Sequence, residues 1–466
     1  MKRAALVLVI FILSLSMFGQ KVAPDTYLIK FKDKNNSPYS IENPEEFLSE
    51  RAIQRRQKYN IPITEQDIPV NQGYIQQLKD LGFTVFAISK WMNHAIVYSE
   101  DSTLIEEAHK LAFVVSDSIV VKKDKKTIVK NDEKIEIVLS PDEEPTFDYG
   151  KGENQITMLN VHKLHNKGYT GKGIVMAILD AGFYRADSLK GFDSIRVNNQ
   201  ILGTKDFVER DGDVYKDGAH GMQVLSTIAA YLPGKLIGSA PSAEFWLLRS
   251  EDDRSENIVE EYYWVSAAEF ADSVGADMIH SSLGYNNFDI KSLSHSYEDM
   301  NGDIAPATIG SDIASSKGIL VVTSAGNEGN DKWRYITSPA DADSTLTVGS
   351  TGGNGEASDF SSKGPSADGR IKPDVMAQGS FIYVLGRSRG VTISFGTSFS
   401  APLIAGAVAS LWQGNPDCTN MEIIQAVQKS SDRYNKPDET YGYGIPDFDK
   451  ADKYLKSKKK DEETDK

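Results

Sequence analysis

The stretch Ser394 to Trp412 presents a serine, Ser398, where its hydroxyl could do chemistry. That serine stands in a glycine-led turn, Gly396-Thr397-Ser398, that runs directly into an apolar stretch ending at Trp412. A helix beginning at about Thr397 puts Ser398 in its first turn, where backbone N–H groups lack intrahelical partners and the macrodipole is positive. An oxyanion formed there is stabilised. An ordinary helix cap would use the same residue types, so the serine counts only if the chain also supplies a base and a group to orient it. Seven histidines occur, at 94, 109, 162, 165, 220, 280 and 295, and none follows Ser398. His220 opens a predicted helix over Ala219 to Leu232, next to Gly221, a place that packing explains poorly. Asp180 ends the apolar run Ile174 to Leu179, which predicts a buried parallel strand, and catalytic groups gather outside the carboxyl ends of such strands. Asn327 lies in a loop, Ala325-Gly326-Asn327-Glu328-Gly329, after another predicted strand over 319–324.

These motifs together resemble the subtilisin-like serine proteases. Gly396-Thr397-Ser398 with Pro402 is similar to that family's nucleophile motif, with Phe399 and Ser400 as departures. Asp180-Ala181-Gly182 resembles its aspartate motif, with Ala181 in place of Ser or Thr, and His220-Gly221-Met222-Gln223-Val224 resembles its histidine motif, with Met222 in place of Thr. The order aspartate, histidine, serine is the family's, whereas an α/β-hydrolase needs its histidine last. The resemblance implies that Ser398 attacks a peptide carbonyl, His220 carries the proton and Asp180 holds His220 in the correct tautomer. It assigns the oxyanion hole to Asn327. Ser282, Leu283 and Gly284 after one strand, and Ala325 and Gly326 after the next, would bind an extended substrate. Tyr285 stands where small residues are frequent and bears on the pocket's width. No cofactor takes part in that chemistry; a structural calcium ion is consistent with the resemblance but is not placed by it. The loop Asp299-Met300-Asn301-Gly302-Asp303 lacks the twelfth-position glutamate of an EF-hand and reads as a solvated turn.

Three other groupings carry less. Gly386-Arg387-Ser388-Arg389-Gly390 matches the G-x-S-x-G pattern of esterases, but strand-like flanks make it a hairpin turn rather than a strand-to-helix elbow. His280 is a second candidate base, explained better by packing inside a strand. His162 and His165 share a predicted helix face with no further ligand at metal spacing.

The chain has 466 residues and a formal charge of −15, which argues against nucleic acid as a partner. Lys2 and Arg3 precede an apolar run from Ala4 to about Phe18, too short for a stable membrane span and typical of a secretory leader over residues 1–20. Export to the outside or the periplasm is expected. The lone Cys418 excludes an internal disulfide.

The elements that position the site form an α/β body. Strands alternate with helices across 155–455, which predicts a doubly wound, mostly parallel sheet flanked by helices. Ahead of it, residues 21–120 read as a small α+β module. Its predicted elements include a helix from Pro44 to about Tyr59 and a strand over 113–120. It carries no chemical motif and resembles an inhibitory propeptide. Residues 121–154 read as a charged linker, the expected place of cleavage, and 456–466 as a charged tail after a short helix. The function implied is secreted serine endopeptidase acting on proteins or peptides. Alternatives are an inactive peptide-binding scaffold of the same fold, or an esterase.

Overall fold

The computed structural model describes residues 20–115, 144–388 and 390–464, with side chains as far as Lys459. Of the expected leader only Gln20 is described, and the expected linker between 121 and 143 lies outside the described residues.

The N-terminal module runs β1 (Gln20–Ala23), β2 (Thr26–Lys30), α1 (Glu50–Lys58), α2 (Gln72–Asp80), β3 (Thr84–Ser89), β4 (His94–Tyr98) and α3 (Thr103–His109). Its strands form an antiparallel sheet in the order β1-β2-β4-β3. Alternation divides each strand between two cores. Ile29 and Val97 face the module's own helices with Ile75, Leu78 and Ile105, whereas Leu28 and Ile96 face the body. The predicted helix from Pro44 to Tyr59 is broken, because Ser49 caps α1 by accepting the N–H of Ala52 and leaves Pro44–Glu46 as a separate short turn. The strand predicted over 113–120 reduces, within the described residues, to a single bridge between Val114 and Phe31.

The body continues with α4 (Glu153–Thr157), α5 (Val161–Asn166), β5 (Val175–Asp180), α6 (Asp193–Val197), β6 (Ile201–Asp206), α7 (Ala219–Ala229), β7 (Tyr231–Leu232), β8 (Leu236–Ile237), β9 (Glu244–Arg249), α8 (Val259–Ser273), β10 (Met278–Ser281), α9 (Pro306–Ser316) and β11 (Leu320–Ser324). It closes with β12 (Leu346–Thr351), β13 (Val375–Gln378), β14 (Ser380–Leu385), β15 (Val391–Phe395), α10 (Thr397–Gly414), α11 (Asn420–Ser430) and α12 (Phe448–Thr464). Seven parallel strands lie in the order β13-β12-β11-β10-β5-β9-β6. Along β5, Met176 and Ile178 join the layer of α7 and α10, and Val175, Ala177 and Leu179 join that of α8 and α9. Both faces are therefore covered, as a parallel sheet requires.

Three boundaries differ from expectation. The predicted helix that carries His162 and His165 starts only at Val161, parted from α4 where Asn160 adopts φ 55°. The body begins before residue 155: Tyr149 is fully buried and its hydroxyl lies 2.6 Å from His165 Nδ1. The C-terminal stretch forms one 17-residue helix to Thr464 in place of a short helix and a tail, anchored by Asp452, which pairs with Lys167 and Lys456.

The module sits on the C-terminal end of α8 through buried charge. Arg55 pairs with Asp272 at 2.5 Å, and Arg56 bridges Asp272 at 3.0 Å and Asp67 at 2.9 Å. Lys317 adds a contact to Asp67 at 3.2 Å. The Glu269 carboxylate accepts the N–H groups of Lys90 and Trp91 at 2.8 and 3.0 Å.

Candidate active site

The carboxyl ends of β5, β10 and β11 point toward the N-terminus of α10, and the side chains singled out by sequence lie along that edge. Asp180 is fully buried at the tip of β5. Its Oδ1 accepts the N–H of Ala181 at 2.8 Å, so the backbone bonds the carboxylate at the position where the resembling motif carries a hydroxyl. His220, in the first turn of α7, presents Nδ1 to Asp180 at 2.9 Å from Oδ1 and 3.0 Å from Oδ2. Gly221 makes that approach feasible. A Cβ there would stand 2.7 Å from the Asp180 Cβ and against the carbonyl oxygen of Gly182. Burial disfavours the charged imidazole, but the charge and hydrogen bond of Asp180 outweigh it, and the pKa of His220 is raised above the ordinary value. Its side chain keeps 37% of its surface, opening on the cleft, and the ring rests 5.6 Å from that of Phe399. Met222 fills the core below.

Ser398 is 8% exposed in the first turn of α10, reached through Gly396 at φ 141°, a conformation open to glycine. Its hydroxyl donates to the carbonyl of Ser282 at 3.3 Å. The Ser398 carbonyl in turn accepts the Ser282 hydroxyl at 2.8 Å, which ties the helix start to the loop after β10. Asn327 reaches the same place. Its Oδ1 accepts both the N–H and the hydroxyl of Thr397, at 2.9 and 3.0 Å. The side-chain N–H₂ is left as a donor beside the Ser398 backbone N–H, which has no carbonyl partner among the described residues. Two donors next to one hydroxyl suit a developing oxyanion.

The remaining predicted residues divide. Ser282, Leu283 and Gly284 follow β10, and Ala325 and Gly326 follow β11, so the two loops leave adjacent strands. Tyr285 does not enter the space between them: its ring is fully buried and its hydroxyl donates to Glu251 at 2.8 Å. His280 lies beneath the site, its Nε2 2.9 Å from the Ser282 hydroxyl and its Nδ1 3.2 Å from the Val322 carbonyl. Burial pushes its pKa down to about 3. His162 and His165 form no metal pair, since His165 is occupied by Tyr149 and the Ser239 carbonyl. The Gly386–Gly390 segment is the turn between antiparallel β14 and β15. Thr397, which fixes the Asn327 amide, carries no local signal in the sequence, nor does the bond from the Ser282 hydroxyl to the Ser398 carbonyl, because both contacts join segments 70 and 116 residues apart.

Two acidic groups come near the geometry of a cation site. Asp206, Glu209 and Asp217 converge. The Arg249 guanidinium already stands among them, 2.9 Å from Asp217 and 3.4 Å from Asp206, so this group does not fit a calcium ion. Glu251, Glu256 and Glu260 also converge, and no Lys or Arg pairs with them among the described residues. Burial pushes Glu256 up to about 7 and Glu260 up to about 8. The Asp299–Asp303 loop is closed by its own hydrogen bonds, from Ser296 to Asp299 and from Asp303 to Asn301.

Comparison with known proteins bears on the family and the fold. Residues 26–136 match the Peptidase S8 propeptide domain of Bacteroidota, reaching beyond the module boundary expected at 120. Serine protease AprX of Bacillus subtilis (strain 168) is 30% identical over 305 residues, and subtilisin E of the same organism 30% over 280. Each alignment takes in 59% of this chain, and the chain spans 65% of the length of each relative. Among solved structures, a protease of Pseudoalteromonas arctica PAMC 21717 superposes with a TM-score of 0.51 at 22% identity, over 66% of this chain and 99% of that one. That likeness supports the fold. Residues 171–444, more than half of the sequence and inclusive of Asp180, His220, Asn327 and Ser398, match the subtilase family (Peptidase S8), to which this chain belongs.

Proposed function

We propose that the protein is a serine endopeptidase that hydrolyses peptide bonds through an acyl-enzyme, with Ser398, His220 and Asp180 as its triad. The observation that carries this reading is the contact of His220 Nδ1 with both Asp180 oxygens, at 2.9 and 3.0 Å, at the mouth of the cleft that holds Ser398. With Nδ1 engaged, Nε2 is the nitrogen left to take the Ser398 proton as Oγ attacks the scissile carbonyl. The tetrahedral oxygen then receives the Asn327 amide and the Ser398 N–H, and His220 returns the proton to the leaving amine. Asp180 stabilises the imidazolium formed in between, in keeping with the raised pKa of His220.

The N-terminal module acts as the propeptide, held on α8 until the chain is cut downstream of it, and the precursor is exported through its apolar leader. Among the described residues no helix is long and apolar enough to cross a membrane.

One observation favours a second reading, an inactive peptide-binding scaffold: the Ser398 hydroxyl is bonded to the Ser282 carbonyl and not to His220. Labelling of the processed protein with a fluorophosphonate separates the two. Covalent modification that disappears in Ser398→Ala supports the peptidase; processed protein that takes no label leaves the scaffold.

A further inference from the structure

Helix α10 carries a proline where its first turn needs a donor. In a regular helix the Ser398 carbonyl would accept the N–H four residues on, and that residue is Pro402, which has none. The Ser282 hydroxyl supplies the missing bond, donating to the Ser398 carbonyl at 2.8 Å. The Ser282 carbonyl meanwhile accepts the Ser398 hydroxyl at 3.3 Å. One residue of the loop after β10 thus holds the nucleophile by both its carbonyl and its hydroxyl. Side chains alternate across a strand. Ser281 faces α8, where its hydroxyl accepts the Trp264 ring N–H at 2.9 Å, whereas His280 and Ser282 face the side of α10 and meet each other.

Two protons serve three contacts around Ser282. Its hydroxyl oxygen lies 2.8 Å from the Ser398 carbonyl and 2.9 Å from His280 Nε2, and His280 Nδ1 lies 3.2 Å from the Val322 carbonyl. A carbonyl brings no proton, so the shortest contact takes the one on Ser282. The contact with Nε2 must then take its proton from the ring. His280 is fully buried, burial pushes its pKa down to about 3, and a neutral imidazole has a single N–H. The Val322 contact, the longest of the three, is left without a proton. The opposite tautomer, protonated at Nδ1, would make Nε2 an acceptor and draw the Ser282 proton away from Ser398. Two arrangements compete, and the ring nitrogen that carries the proton selects between them.

We propose that His280 is a positioning residue for the nucleophile: as the Nε2–H tautomer it donates to Ser282 and directs the Ser282 hydroxyl onto the Ser398 carbonyl, fixing the first turn of α10. The inference rests on the peptidase reading above. His280, enclosed beneath the loop, takes no part in proton transfer. Its effect falls on the step in which Ser398 attacks, because a turn held in one orientation presents hydroxyl and oxyanion donor without reorganisation.

The test measures kcat and KM of processed full-length enzyme on one peptide substrate, with fluorophosphonate labelling of Ser398 as the count of active sites. His280→Leu, apolar and without a donor, should lower kcat about tenfold or more and leave KM little changed. His280→Gln, whose amide places an N–H near the position of Nε2, should restore kcat to within about threefold of wild type. Ser282→Ala should lower kcat by a factor like that of His280→Leu, and the two changes combined should be no worse than the poorer single one, since both break the same chain of bonds. His280→Leu at the wild-type kcat, His280→Gln as slow as His280→Leu, or losses that multiply in the double variant overturns the inference alone. If His280→Leu does not fold, a loss in Ser282→Ala that His280→Gln does not share supports the inference, and Ser282→Ala at the wild-type kcat overturns it. If wild type cuts no peptide and no Ser398-dependent label appears, the peptidase reading is overturned and this inference with it.

Discussion

Helix α8 has acidic groups at both ends, and the two ends are treated differently. At its C-terminal end Asp272 is fully buried among Arg55, Arg56 and Lys90, whose charges overcome the burial and hold its pKa below the usual carboxylate range. At its N-terminal end Glu260, with Glu251 and Glu256 from the loop before it, has no cation among the described residues, and burial pushes all three pKa values up. The first set is committed to a partner inside the chain. The second is met, among the described residues, only by neutral donors, the Tyr285 hydroxyl on Glu251 and the N–H groups of Asp252 and Asn257 on Glu260, and follows β9, whose last residue Arg249 pairs beside Asp180 in the sheet. Charge at the module interface is neutralised across it, whereas the carboxyls at the other end are held toward their neutral form by burial.

The cleft side of this contrast should break most severely at Asp180. Asp180→Asn is expected to lower kcat about 10⁴-fold, the loss seen for the same change in another Asp-His-Ser triad. The sign with pH follows from His220. Its raised pKa places the acid limb of kcat/KM above that of a free imidazole, with activity rising as the base deprotonates, and Asp180→Asn should move that limb down. A pH–rate profile of both enzymes checks this.

The attachment side should break at Arg56. Arg56→Ala leaves Asp67 and Asp272 facing each other with one guanidinium fewer, and removing one partner of a buried pair costs about 3–5 kcal/mol. Urea unfolding of a Ser398→Ala precursor reads the loss. Because the folded pKa of Asp272 is depressed, this contribution is present above about pH 4 and is lost as the pH falls below it.

Asn327→Ala should lower kcat by about 10²–10³, a magnitude measured on removing the corresponding donor in subtilisin and borrowed here from the family. KM should change little if the amide acts only on the transition state.

The smallest effect belongs to the open acidic end. Glu256 has its folded pKa raised to about 7, so its charge is unfavourable in the fold, and stability is lost as the pH rises from the ordinary carboxyl range of about 4.3 toward that value and is level above it. Glu256→Gln should therefore stabilise the protein by under ~1 kcal/mol at pH 9, discounted for its partial exposure, and do nothing at pH 4. Thermal unfolding at the two pH values is sufficient.

The contrast between the two ends was invisible in the sequence, whereas the frame around it was legible. The apolar run of β5, the helix start at His220 and the turn before Ser398 each carry local signals, a hydrophobic period ending at a polar residue or a glycine at positive φ. Strands β6 and β12 escaped notice because ILGTKD and LTVGST interrupt their apolar residues with glycine and threonine, and tertiary pairing decides their state. Arg55 and Arg56 sit in a helix that reads as charged surface, and only the docking of α8 makes them interior.

The claim on which the rest depends is that Ser398 is made nucleophilic by His220. The most direct measurement is the rate of fluorophosphonate labelling of the processed protein across pH 5–9, compared with Ser398→Ala and His220→Ala. Labelling confined to Ser398, rising along a titration above that of a free imidazole and reduced at least a thousandfold in His220→Ala, is the predicted result. Labelling of Ser398 at the same rate with and without the imidazole would contradict it.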